Sequence, residues 1–200
     1  MHTQIKTANG IALIPLETRH LAKRRVLIKG KIDMETACEF ADKIMLLNDE
    51  SREEPIDVYI TSGGGEIRAG MMMYDVIQSS PAPVRMFCRG VAHSMAAVLF
   101  ACGCHGRYLL PNSELMLHEP LLGNAVRGNV TSIRTISDEL MQVNAQMNEL
   151  LAKHTGKSVE EIEKATSYDH FFTAQESVEF GLADAVISFE QMMGGMIDEH

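Results

Sequence analysis

One serine stands among small and apolar residues in GVAHSMAAVLFACG (90–103), with His93 directly before it. A serine placed so is either a helix N-cap or a nucleophile. Ser94 follows a strand-like run and Gly90, and it opens an apolar helical pattern. Backbone N–H groups at such an opening lack intrahelical partners and can hold the oxyanion of an acyl transfer. Ala92 and Ala96 leave room around it, in the spacing of a G-x-S-x-G elbow with alanines replacing both glycines. A second set of accessible amides lies in TSGGGEIRAG (61–70), where three glycines let the backbone approach a ligand closely. The lysine and Ser/Thr of a phosphate-binding loop are missing, so a peptide strand or an oxyanion is the better guest.

Ser94 needs a base, and the chain has eight histidines. His2 and His200 are terminal, His20 lies in a charged approach segment, His105 in a turn, and His154 at the end of a long helical pattern. His93 is adjacent to Ser94, but neighbouring side chains on a helix diverge. His118 ends the apolar strand ELMLHEP (114–120) and is held by Pro120, a place from which a general base reaches a serine. The acid chosen to orient it is Asp169, in SYDHFFTAQE (167–176), with aromatic residues at 168, 171 and 172 to exclude water. A partly buried carboxylate needs hydrogen-bond donors, and an imidazole N–H is one. The order Ser–His–Asp along the chain is immaterial, because triads are defined by geometry.

These residues must be positioned by an alternation of strands and helices. RRVLIKGKI (24–32), IDVYITS (56–62) and VRMFCRG (84–90) read as strands, and RYLLP (107–111) and ELMLHEP as two shorter ones parted by Asn112-Ser113. Helical patterns follow Asp33 as cap, run from about Glu66 to Ser79, open at Ser94, and extend from about Val130 to His154 before Gly156. Ser158 with Glu161 and Thr173 with Glu176 have capping-box spacing, and Gly181 ends the last helix before the strand DAVI (184–187). Such alternation implies parallel strands joined by crossover helices, an α/β layered fold of one domain over residues 1–200. In such sheets ligands gather beyond the C-terminal strand ends, where both TSGGGE and GVAHSM lie. The segment from about 189 to 200 reads as a flexible tail.

Net charge is −9, with 18 basic and 27 acidic residues, which argues against nucleic acid or an anionic membrane surface as partner. No secretory h-region opens the chain and no apolar run approaches a membrane span. Four cysteines, at 38, 88, 102 and 104, form no disulfide-like framework and fit a reduced, cytoplasmic protein. CGCH (102–105) has no second ligand cluster, so core packing is preferred to a metal site.

In combination these motifs resemble the proteolytic-subunit family of the Clp protease (ClpP), from roughly Val26 to Ser188. The nucleophile segment is GVAHSMAAVLFACG, the histidine segment LPNSELMLHEPL, the aspartate segment YDHFFTAQESVEFGLADAV, and the glycine loop ITSGGGEIRAGMMMYDVI. The resemblance implies a ClpP/crotonase-like layered fold of βαβ units with a protruding handle helix at about 130–154. It implies Ser94 as nucleophile, His118 as general base, Asp169 as the residue orienting it, and the backbone N–H groups of Gly64 and Met95 as oxyanion hole. Substrate would pair as an added strand along Gly65, Glu66 and Ile67 and along Leu121 and Leu122. The implied assembly is a homo-oligomer of heptameric rings stacked to a tetradecamer, fed with unfolded polypeptide by an AAA+ unfoldase ATPase of the Clp type. The subunit itself would take no metal, cofactor or nucleotide.

The chain departs from the family at several points. His93 replaces an alanine, Gly63 a proline, and Tyr168 an arginine that in the family helps bond one ring to the other. The segment LETRHLAKRRVLIKG (16–30) is shorter and lacks the usual tyrosine- and leucine-rich approach to the first strand. Two other functions compete with the peptidase. One is a catalytically idle or regulatory ring subunit pairing with an active paralogue. The other is a crotonase-type acyl-CoA enzyme, against which the lack of a basic cluster for a CoA phosphate counts.

Overall fold

The computed structural model describes residues 1–7, 10–122 and 128–194. It opens with a hairpin, β1 (His2–Thr7) antiparallel to β2 (Gly10–Pro15), and a short helix α1 (Leu16–Leu21). Sequence patterns assign no element to this stretch. The next three strand–helix units are β3 (Arg25–Ile32) with α2 (Met34–Glu50), β4 (Ile56–Gly65) with α3 (Ile67–Ser79), and β5 (Val84–His93) with α4 (Met95–Ala101). Two short strands follow, β6 (Arg107–Leu109) and β7 (Glu114–Leu117), and then α5 (Val130–Thr155), α6 (Val159–Thr166), β8 (His170–Thr173), α7 (Ala174–Phe180), β9 (Ala185–Val186) and α8 (Phe189–Gly194).

Strands β3-β4-β5-β6-β9 pair in that order, all parallel, and β7 runs parallel to the last part of β5 with β8 antiparallel on its far side. The mixed α/β architecture is thus built on a mostly parallel sheet flanked by helices. Parallel central strands are buried on both faces, which is why they read as nearly continuous apolar runs. Val58 and Ile60 on β4 and Met86 and Cys88 on β5 enter the main core with α2, α3 and all seven residues of α4. Between them Tyr59 and Phe87 point the other way, stacked at 5.1 Å, into a smaller cluster with Ile187 and Met192.

Strand β5 changes partner midway. Its residues 86–88 pair with β6 and residues 91–93 with β7, the break falling at Gly90, whose φ is +107°. Ser113 satisfies the backbone groups freed there: Gly90 N–H donates to its Oγ at 3.1 Å, and that hydroxyl donates to Cys88 O at 3.1 Å.

Local chemistry sets the helix ends. Asp33 Oδ1 accepts from Thr36 N–H at 2.9 Å to start α2, Gly156 closes α5 in the left-handed conformation, and reciprocal capping boxes start α6 and α7. Buried residues of α5 fall between Met147 and Leu151, so its first half lies outside the core. The segment expected as a flexible tail begins instead as α8. Its Met192 is buried, and the carbonyl of Met192 accepts from Tyr59 Oη at 3.3 Å. An amphiphilic FEQMM run beside an open aromatic patch has apolar surface to bury, which its terminal position in the sequence hides. Residues 195–200 lie outside the described residues.

Candidate active site

The site lies at the C-terminal ends of β4, β5 and β7. The chain leaves β5 and enters α4 through Ser94, at φ +55° and ψ −128°, one of two non-glycine residues with positive φ among the described residues. Holding a residue there costs about 1–3 kcal/mol unless the surroundings over-determine it. Here Ser94 N–H donates to Met116 O at 2.8 Å, and Ser94 O accepts from Ala97 and Val98 in the first turn of α4. Ala92 and Ala96 are fully buried beside it.

His118 follows β7 directly. Its Nε2 is 2.8 Å from Ser94 Oγ, a distance at which the serine hydroxyl donates to a neutral imidazole nitrogen. The ring is mostly sheltered, at 13% exposure, and the next residue is anchored by Glu119 N–H donating to Thr166 O.

Because β8 runs antiparallel to β7 with His170 opposite Leu117, the residue before β8 lies beside the residue after β7. Asp169 Oδ1 is therefore brought to 3.8 Å from His118 Nδ1, within ion-pair range and beyond hydrogen-bonding distance. Its side chain is 67% exposed. Sequence reasoning expects aromatic neighbours to screen this carboxylate, and the structure corrects that. Phe172 is buried, but alternation along β8 turns Phe171 outward, and Tyr168 is exposed too.

The three glycines, beyond the strand read over 56–62, continue β4 as extended strand: Gly64 and Gly65 pair with Lys31 and Ile32 of β3. Only glycine fits. A Cβ on Gly64, at φ +92°, would stand 2.7 Å from His93 O, 2.8 Å from Ser94 Cβ and 3.1 Å from Met95 N. The Gly64 backbone thus lies against Ser94 and against the Met95 amide, which as the first residue of α4 has no intrahelical acceptor. Gly64 N–H itself donates to Ser62 Oγ at 3.0 Å, and that buried hydroxyl donates in turn to Gly30 O. Ser62 is a site residue that sequence reasoning missed; its signal was a serine inside an apolar strand just ahead of the glycines.

A groove of about 880 Å³ runs over this centre. Gly65, Glu66, Ile67, Leu121 and Leu122 line it together with Ser94, His118 and Asp169 and with Leu140 and Val143 of α5. A small cavity of about 30 Å³ opens from Ser94 and His118 toward α5, among Met95, Met147, Asn144 and Asn148. Asn148 is buried, accepts from Thr166 Oγ1 at 3.4 Å, and leaves its Nδ2 unpartnered, as is Asn144 Oδ1. Both asparagines also escaped sequence reasoning, although polar residues at i and i+4 on a core-facing helix stripe are a visible signal.

The other histidines lie elsewhere. His93 Nε2 pairs with Glu114 Oε1 at 3.0 Å, and His154 Nε2 is 3.2 Å from Tyr74 Oη. Among the described residues no cluster of three metal-ligating side chains occurs, and no helix is long and apolar enough to cross a membrane. All four cysteines are free thiols.

Residues 12–190 match the family model described as Clp protease. The chain belongs to the Clp protease family. The match reaches upstream of Val26 to take in most of β2 and all of α1, and so covers nearly the whole of this Clp-type peptidase domain.

Proposed function

We propose that this Clp-family chain is a serine endopeptidase that hydrolyses unfolded polypeptides, with Ser94 as nucleophile. The observation that carries the reading is the 2.8 Å contact between His118 Nε2 and Ser94 Oγ at a strained strand-to-helix elbow. Ser94 Oγ attacks the scissile carbonyl carbon while its proton passes to His118 Nε2. The negative charge then forming on the carbonyl oxygen falls near the amides of Met95 and Gly64, the latter exchanging Ser62 Oγ for the oxyanion. Collapse breaks the C–N bond, His118 returns the proton to the leaving amine, and water activated by the same imidazole releases the acyl group. Asp169 orients the imidazole after closing from 3.8 Å to hydrogen-bond distance. Substrate lies extended in the groove between Gly65–Ile67 and Leu121–Leu122.

The subunit works as the proteolytic core of an ATP-dependent Clp-type machine in the cytoplasm. It forms heptameric rings stacked to a tetradecamer and is fed by an AAA+ unfoldase. Support for self-association comes from α5, whose projecting half exposes Val130, Ile133 and Met141. The alternative, an idle or regulatory subunit beside an active paralogue, is favoured by the exposed and distant Asp169. Intact mass after fluorophosphonate treatment separates the two. A single adduct on the native protein that is lost in Ser94→Ala supports the peptidase, and no adduct in folded, assembled protein supports the idle subunit.

A further inference from the structure

We infer that His93 is a positioning residue, which ties the Ser94 elbow to the two strands that deliver His118 and Asp169. Its Nε2 is 3.0 Å from Glu114 Oε1 on β7, and its ring stands edge-on to Phe171 on β8, with centroids 5.7 Å apart and an interplanar angle of 89°. The strand register explains why these side chains meet. His93 pairs with Met116 and Met116 with Phe171, so the three lie in one row across β5, β7 and β8. Glu114, two residues before Met116, shares that face.

Each member of the row is close in sequence to a residue of the proposed triad. Ser94 directly follows His93, His118 lies two residues after Met116, and Asp169 two residues before Phe171. Strands β7 and β8 have four residues each, and among the described residues β8 has β7 as its only strand partner. A short outer pair of this kind has little backbone pairing to hold its register against the elbow, and side-chain ties add to it.

The contact is poorly suited to stabilising the fold. With side-chain exposures of 20% for His93 and 46% for Glu114, the pair is screened by water, and such pairs contribute little to folding. Its effect is geometric. The ring nitrogen committed to Glu114, on a strand residue whose side chain points away from that of its neighbour, leaves His93 no part as the base for Ser94. This inference rests on the reading of Ser94 and His118 as the reacting pair.

The test is a double-mutant cycle on peptide hydrolysis with His93→Ala, Glu114→Ala and the pair, together with His93→Gln. A positioning role predicts that His93→Ala lowers kcat about tenfold with KM changed by less than about twofold. His93→Gln, which keeps an N–H for Glu114, retains most of the activity. The double variant is no worse than the poorer single one, because the tie is already cut. Losses that multiply, a loss confined to KM, or unchanged kcat in His93→Ala overturns the inference. A second measurement does not need turnover: the His118 ring signals in 15N-histidine-labelled, assembled protein. They shift in His93→Ala if the elbow and β7 have moved apart, and unmoved signals overturn the inference as well. A native protein that takes no fluorophosphonate at Ser94 refutes the peptidase reading instead, and the ring signals still decide the role of His93.

Discussion

Replacing Gly64 by alanine tests the geometry of the site most directly. The new Cβ would stand 2.7 Å from His93 O and 2.8 Å from Ser94 Cβ, neither of which can swing away as the tip of a flexible side chain could. Restoring ordinary contact requires the β4 end and the elbow to part by roughly half an ångström or more. That displacement acts on the residue whose Oγ is 2.8 Å from His118 Nε2. A misplacement of about 1 Å costs on the order of 10²-fold in rate, so kcat/KM should fall by roughly 30- to 100-fold. Stability should fall too, by about 1–2 kcal/mol for a left-handed alanine and a comparable amount for the clash. For a chain of this size that lowers the melting temperature by roughly 5–15 °C. Gly63→Ala is the control, since its Cβ meets nothing within 4 Å and its φ is not positive. It should leave the melting temperature and the rate on a fluorogenic peptide nearly unchanged. Near-native activity in Gly64→Ala, or equal damage in Gly63→Ala, would refute the packing of the glycine strand against Ser94.

Asp169→Asn should lower kcat by roughly 10²-fold, less than the loss of about 10⁴ seen for a buried orienting carboxylate, because this one is mostly solvated; rates within twofold of native would assign the orienting role to another group. Burial, with Lys153 and Arg107 nearby, holds the His154 imidazolium pKa below its ordinary value, and burial does the same for His20. On acidification the unfolded chain therefore binds protons first, so the stability these groups contribute is present above about pH 6.5 and is lost as pH falls below it through the lowered folded-state values. The melting temperature should drop between pH 7.5 and 5.5 and drop less in His154→Gln, and a flat profile would contradict the partial burial of these rings. Burial pushes the Cys88 thiol up to about 12 and the Cys102 thiol higher still, while Cys38 and Cys104 are exposed. A thiol reagent should therefore modify Cys38 and Cys104 in the native protein and reach Cys88 and Cys102 only on unfolding; fast native labelling of all four would show the core to be open.

The alternation of strands and helices was legible because each element carries its own period and its own caps: Asp33, Ser158 and Thr173 at helix starts, Gly156 and Gly181 at ends. Such signals act over three or four residues and survive without tertiary context. Ser94 and His118 were legible for a related reason, since each is a polar residue at the C-terminal end of an apolar strand, where a parallel sheet gathers its ligands. The hairpin of β1 and β2 and the helix α8 were not. One is a weakly apolar ribbon that packs on little, and the other owes its place to an aromatic patch assembled from strands distant in sequence.

What the sequence determined by itself was therefore the class of fold and the identities of the polar residues at its ligand edge. Tertiary structure alone decided that the glycine run continues β4 instead of turning, because only pairing with Lys31 and Ile32 makes that path favourable. It also decided that Gly64 N–H is engaged by Ser62, that Asp169 stands exposed and 3.8 Å from His118, and that His93 is bound to Glu114. Apart from the Ser62 contact, which is local to β4, each of these depends on the register between strands. Register is a long-range property: neighbouring residues in the chain constrain which face a side chain takes, and only the partner strand determines what it meets there.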